Sequence, residues 1–149
     1  MIYLKIYLLQ REINRNYQWK GYGFKMSQTI DRYFEAGRDI LLEVGAKADN
    51  ARPNVVAFAL DRKGRLVSIG FNSYVKTHPY QKRCARKAGD AFKQYLHAEI
   101  SAIIKAKQQI HSLVVVRISK AGDFMLARPC KVCYLAIEEA GIKNVYYSS

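Results

Sequence analysis

The chain has 149 residues, half of them apolar, which is enough for one domain with a buried core and too few for two. Its net charge of +13 favours polyanionic partners such as nucleotides, nucleic acids or anionic lipid. No stretch approaches the roughly 20 apolar residues of a membrane span, no internal repeat is visible, and three cysteines do not make a disulfide framework.

The N-terminus, MIYLKIYLLQRE, does not read as a signal peptide. Its apolar run is short, Lys5 interrupts it, and no small-residue cleavage site follows. A cytoplasmic location is expected. Residues 1–25 are rich in Tyr, Asn and basic residues and poorly patterned. Two readings are open: an extension ahead of a native start at Met26, or an edge strand from Ile2 to Leu9. The domain itself is expected over 26–149.

Ser27 or Thr29 can cap a helix from about Ile30. Its apolar positions Tyr33, Phe34, Ile40, Leu41 and Val44 share one face, and Gly45 is the expected stop. Two strands follow, at 55–60 and 65–72, joined by the turn DRKG. Residues 73–94 form a polar, basic connection. Next come a helix over about 96–106, a strand at 113–119, and a turn at AGDF. A helix from about Cys130 to Ala140 stops at Gly141, and a last strand spans 144–147. Strands joined through helices predict parallel pairing, and the hairpin predicts one antiparallel pair. The expected fold class is α/β, three-layer α/β/α with a mixed central sheet.

Two short stretches carry chemistry. QYLHAEISAI places His97 and Glu99 at one helix start, and ARPCKVCYLA places Cys130 and Cys133 at another. Two cysteines one helical turn apart can reach the same ion. Pro129 costs little at a helix beginning, and the helix N-terminus favours the thiolate form that binds metal. With His97 as third ligand, a tetrahedral zinc keeps one position for water. Zinc lowers the pKa of that water to about 7, and Glu99 beside it can take and pass on its proton. Other readings stand beside this one. One is a structural zinc with Cys84 or His78 as fourth ligand; another is a thioredoxin-like CKVC. Neither gives Glu99 a role. A second zinc on His78, Cys84 and His111 is a further alternative to a surface thiol and a loop histidine.

HAE followed by PCKVC resembles the signature of the cytidine deaminase superfamily, H-x-E and P-C-x-x-C. The resemblance extends over about Ile30 to Tyr147, and the element order with both motifs at helix starts agrees with it. It implies one catalytic zinc per chain, held by His97, Cys130 and Cys133. It also implies attack of zinc-bound hydroxide on C4 of cytosine (or C6 of adenine), with Glu99 as proton shuttle. The backbone at Ala98 would hold the base edge. Asn72, in GFN, matches an asparagine that contacts sugar or base in related deaminases. A homo-oligomer is the expected assembly.

The segment 74–97 sets six basic residues against Asp90. The resemblance places it over the mouth of the site, so Lys76, His78, Lys82 and Arg83 become candidates for phosphate contact. HAEISAI and PCKVC are similar to the zinc motifs of deoxycytidylate deaminases, including short phage ones. A dCMP-like nucleotide is therefore the expected substrate, in nucleotide metabolism. The alternative is single-stranded DNA or RNA, with Tyr74, Tyr80, Phe92 and Tyr95 stacking bases where they are not core.

Overall fold

A computed structural model describes residues 24–47 and 52–149. The first helix, α1, spans Phe24–Lys47. It begins earlier and ends later than its sequence signals. Thr29, expected near its cap, lies within the helix and is buried. Gly45, the expected stop, is spanned, and its missing side chain leaves room for that of Arg52. The boundary drawn at Met26 falls inside α1, and the possible edge strand Ile2 to Leu9 lies outside the described residues.

The hairpin is β1 (Val55–Leu60) and β2 (Leu66–Phe71), paired antiparallel. Asp61 makes the turn: its Oδ1 accepts the N–H groups of Lys63 and Arg65, both at 2.9 Å, while Gly64 takes a positive φ of 77°. Helix α2 (Pro79–Lys87) stands where a polar, basic connection is expected. Its N-cap is His78, whose Nδ1 accepts the Tyr80 N–H at 3.1 Å, and Pro79 opens it. Its inward face is only Gln81, Cys84 and Ala85. Small and polar inward residues between basic ones conceal the helical period.

Helix α3 (Ala98–Lys105) leads to β3 (Ser112–Ile118), the two-residue β4 (Phe124–Met125), α4 (Lys131–Glu139) and β5 (Asn144–Tyr147). The sheet runs β2-β1-β3, with β4 and β5 both on the outer edge of β3. β5 is parallel to β3, as expected across α4. The crossover from β2 to β3 breaks the simple rule. It places β3 beside β1, antiparallel, so β2 and β3 run the same way with β1 between them. The sheet is mixed, as expected, and the fifth strand is the short β4, which begins at Phe124, the last residue of the expected AGDF turn.

Helices cover both faces. Toward α1 the sheet presents Val56, Phe58, Leu60, Val114 and Val116, which meet Tyr33, Ile40 and Leu41. A full apolar side chain buried there contributes about 1.5–3 kcal/mol. The opposite face is built from smaller groups. Ala57 and Ala59 meet Ala98 and Ala102 of α3, with Leu113 and Val115 beside them. Small residues bring α3 down onto the sheet, and its first turn therefore ends up at a fixed height above the strands. Among the described residues no helix is long and apolar enough to cross a membrane.

Candidate active site

Two helix starts converge on this face. His97 is the N-cap of α3 and Cys130 the N-cap of α4; neither side chain makes a capping hydrogen bond. Both are thereby left to face each other. His97 Nδ1 lies 3.3 Å from Cys133 Sγ and 3.5 Å from Cys130 Sγ. One ligand atom from each of the three residues lies within 4.8 Å of the others, a spacing that suits a single ion. Among the described residues this is the one such group, so nothing places Cys84, His78 and His111 together. Cys84 is buried in the apolar contact between α2, α3 and α4, not a surface thiol. His111 Nδ1 instead lies 3.1 Å from Ser112 Oγ.

The electrostatics agree with a cation site. A hydrogen bond from Cys133, opposed by burial and aided by His97, holds the Cys130 thiol down at about 3. The same hydrogen bond, together with burial, keeps Cys133 protonated well above the usual thiol range. The two sulfurs thus share one proton, which a metal would replace. The hydrogen bond to Cys130 raises His97 against the opposing effect of burial. A His/Cys/Cys donor set with an already anionic sulfur fits zinc, and it leaves a fourth position open. Glu99 is buried in the first turn of α3, and burial pushes its carboxyl above the ordinary range.

His97, Glu99 and Cys130 line a cavity of about 260 Å³ together with Asn72 and Ala98. Asn72 does reach the site. Its Oδ1 is already engaged, accepting the N–H groups of Asn54 and Val55 at 3.0 Å each, while its Nδ2 donates to Asn54 Oδ1 at 3.1 Å. Tyr74 completes this wall by donating to the same Asn54 oxygen at 3.0 Å. Lys76, His78, Lys82 and Arg83 do not line the cavity. Folding residues 79–87 into α2 carries Arg83 to Glu139 of α4, at 2.9 Å, and spends His78 on the helix cap. The expected basic mouth is therefore replaced by other cations: Arg117 from β3 and Arg128 from the segment before Pro129.

Gln81 is another residue that sequence reasoning passed over. It is fully buried; its Oε1 accepts the His97 N–H at 3.1 Å and its Nε2 donates to Lys93 O at 2.9 Å. It fixes the chain at the metal-side histidine. The only signal available was a polar residue on the inward face of an unrecognised helix.

The model of the cytidine and deoxycytidylate deaminase zinc-binding region matches residues 35–149. The chain belongs to that family. As a member of the cytidine and deoxycytidylate deaminase family it carries that family's zinc-binding region, with His97, Cys130 and Cys133 grouped to receive the ion. Among solved structures, two forms of Acinetobacter baumannii RibD resemble this family member. They are 21% and 20% identical to it, each with a TM-score of 0.44. Each likeness covers 80% of this chain and 28% of the RibD chain. No curated protein sequence matches the chain.

Proposed function

We propose that this zinc-dependent deaminase domain, read as residues 26–149, hydrolyses a cytosine nucleotide of the dCMP type to the uracil nucleotide. The observation that carries the reading is Glu99. It is a buried carboxyl lining the same cavity as His97 and Cys130 of the His/Cys/Cys donor set, held two residues from His97 by the first turn of α3. His97, Cys130 and Cys133 would hold zinc, whose Lewis acidity would make water nucleophilic near neutral pH. Glu99 does the proton work. It takes a proton from the attacking water and gives it to the ring nitrogen, then takes the second proton from the hydroxyl now on C4 and delivers it to the departing amine. The water oxygen ends on C4, the C4–N bond breaks, and ammonia leaves. Ala98 and Asn72 line the cavity, and in this reading the Ala98 backbone and the remaining Nδ2 hydrogen of Asn72 hold the base and sugar.

A second reading, a single-stranded polynucleotide deaminase, is favoured by exposed aromatics. Phe92 is 95% exposed, Tyr95 54% and Tyr74 50%, so these rings are free to stack bases. Tyr80 is not among them, because it is half-buried and the Arg83 guanidinium covers its ring at 4.8 Å from the centroid.

The test is ammonia release with dCMP, deoxycytidine, CMP and a cytosine-containing single-stranded oligonucleotide, with the Glu99→Ala protein as blank. Turnover of dCMP well above the oligonucleotide is expected. Turnover of the oligonucleotide alone would transfer the function to the second reading. Silence on all four and on their adenine counterparts would sink both.

A further inference from the structure

Arg117 and Arg128 line the zinc-site cavity, and the sequence motifs give neither a role. They come from different parts of the chain. Arg117 closes β3 on the sheet face of Leu113 and Val115, opposite Val55. Arg128 belongs to the segment between β4 and α4, just before Pro129.

One buried residue holds both in place. Ser148 Oγ accepts the Arg117 N–H at 3.0 Å and donates to Met125 O at 2.8 Å. Its carbonyl accepts the Ala127 N–H at 2.9 Å, which anchors the residue next to Arg128. The two guanidinium groups are thus carried on backbone that is already fixed.

Their charges are also unspent. Arg38, Arg65 and Arg83 are held by Glu35, Asp61 and Glu139. Among the described residues no such ion pair involves Arg117 or Arg128. The only acid lining the cavity is Glu99. Two arginines lining one cavity, neither in an ion pair among the described residues, suit a dianion, and their forked donors match phosphate oxygens. The cavity's volume of about 260 Å³ puts it at the small end of ligand sites.

The geometry points to a phosphate clamp: Arg117 and Arg128 bind the 5′-monophosphate of the nucleotide whose base lies beside Glu99. This rests on the proposed nucleotide deamination, and it assigns phosphate selection to these two residues in place of Lys76, His78, Lys82 and Arg83. A phosphate monoester carries two negative charges near neutral pH and a backbone phosphodiester only one, so the pair favours the free nucleotide.

The experiment is calorimetric titration of the zinc-loaded full chain with dUMP and with deoxyuridine, the products, so that binding is read without turnover. The wild type is expected to bind dUMP about tenfold or more tighter than deoxyuridine, with inorganic phosphate competing. Arg117→Gln and Arg128→Gln should each remove most of that preference, and Arg→Lys at either position should keep part of it. Circular dichroism and zinc content check that the variants are folded. Equal binding of the two ligands, or no binding of either at millimolar concentration, overturns the clamp. So does tighter arginine-dependent binding of an oligonucleotide lacking terminal phosphate. Deamination is scored separately. Arginine-dependent dUMP binding without dCMP turnover would leave the clamp and sink the deamination reading. Equal turnover of dCMP and deoxycytidine, insensitive to both arginines, would do the reverse.

Discussion

Glu99 and its neighbours show how a short stretch of sequence becomes a reactive site. His97 and Cys130 occupy N-cap positions, where Ser, Thr, Asp or Asn would normally bond back to the helix. Both give up that bond, so each side chain is free to turn toward the other. Cys133 follows Cys130 by one turn, and Glu99 follows His97 by two residues, so local helix geometry brings all four together once the two helix starts meet. That is why these four were legible from HAE and PCKVC alone. Arg117, Gln81 and Asn54 were not, because each reaches the site from an element remote in sequence and carries no motif of its own, and Arg128, though it directly precedes Pro129, has no part in the motif. The division of labour at the residue scale is testable. Glu99→Gln keeps the size of the side chain and removes its proton traffic. Turnover should fall about 10²- to 10⁴-fold, while metal analysis still finds one zinc per chain. Loss of zinc together with activity would make the carboxylate a ligand and not a proton carrier.

At the scale of elements, the site depends on how closely α3 rests on the sheet. The contact is made at Gly70 of β2, where a Cβ would collide with the Ala98 carbonyl oxygen, the Ala102 nitrogen and the Ser101 carbonyl carbon. All three are backbone atoms, so no rotamer change relieves the clash. A glycine inside a strand pattern marks such a close approach, and the GFN stretch held that signal unread. Gly70→Ala should therefore lift the start of α3 and move His97 and Glu99 with it. The expected cost is about 1–3 kcal/mol of stability, read as a lower Tm, together with weaker zinc binding in a chelator competition. An unchanged Tm and zinc affinity would show that α3 is positioned by something other than this contact. β1, β2, β3, β5 and the two motif helices were readable because each has a clean period or a clear stop. α2 was not, since its buried face is three small or polar residues among cations. The antiparallel β1–β3 pair was missed for a different reason: strand order depends on the crossover as a whole, and no local pattern encodes it.

Across the whole molecule, the two sides of the sheet are stabilised differently. The α1 side is a continuous apolar layer containing Phe58, Leu60 and Tyr33, whereas the site side has alanines between α3 and the strands and a satellite cluster between α2, α3 and α4. Glu139 adds surface ties there, to Arg83 at 2.9 Å and Lys87 at 3.1 Å, which solvent largely screens. The zinc ligands stand at the junction of α3 and α4, so the ion links two helices that otherwise meet through small side chains. Binding of the ion to the folded state alone adds about 2.7 kcal/mol at a hundredfold excess over Kd and about 4.1 kcal/mol at a thousandfold. For a chain of this size each kcal/mol is worth roughly 2–4 °C. Stripping zinc with a chelator should then lower Tm by about 5–15 °C, and zinc should restore it where magnesium, which prefers oxygen ligands, does not. The loss should fall first on α3 and α4. Hydrogen exchange should speed up in residues 98–105 and 131–139 while β1 and β3 stay protected. Uniform acceleration over the whole domain would mean that the two layers unfold as one unit, and an unchanged Tm would mean that the helix pair holds the site without the ion.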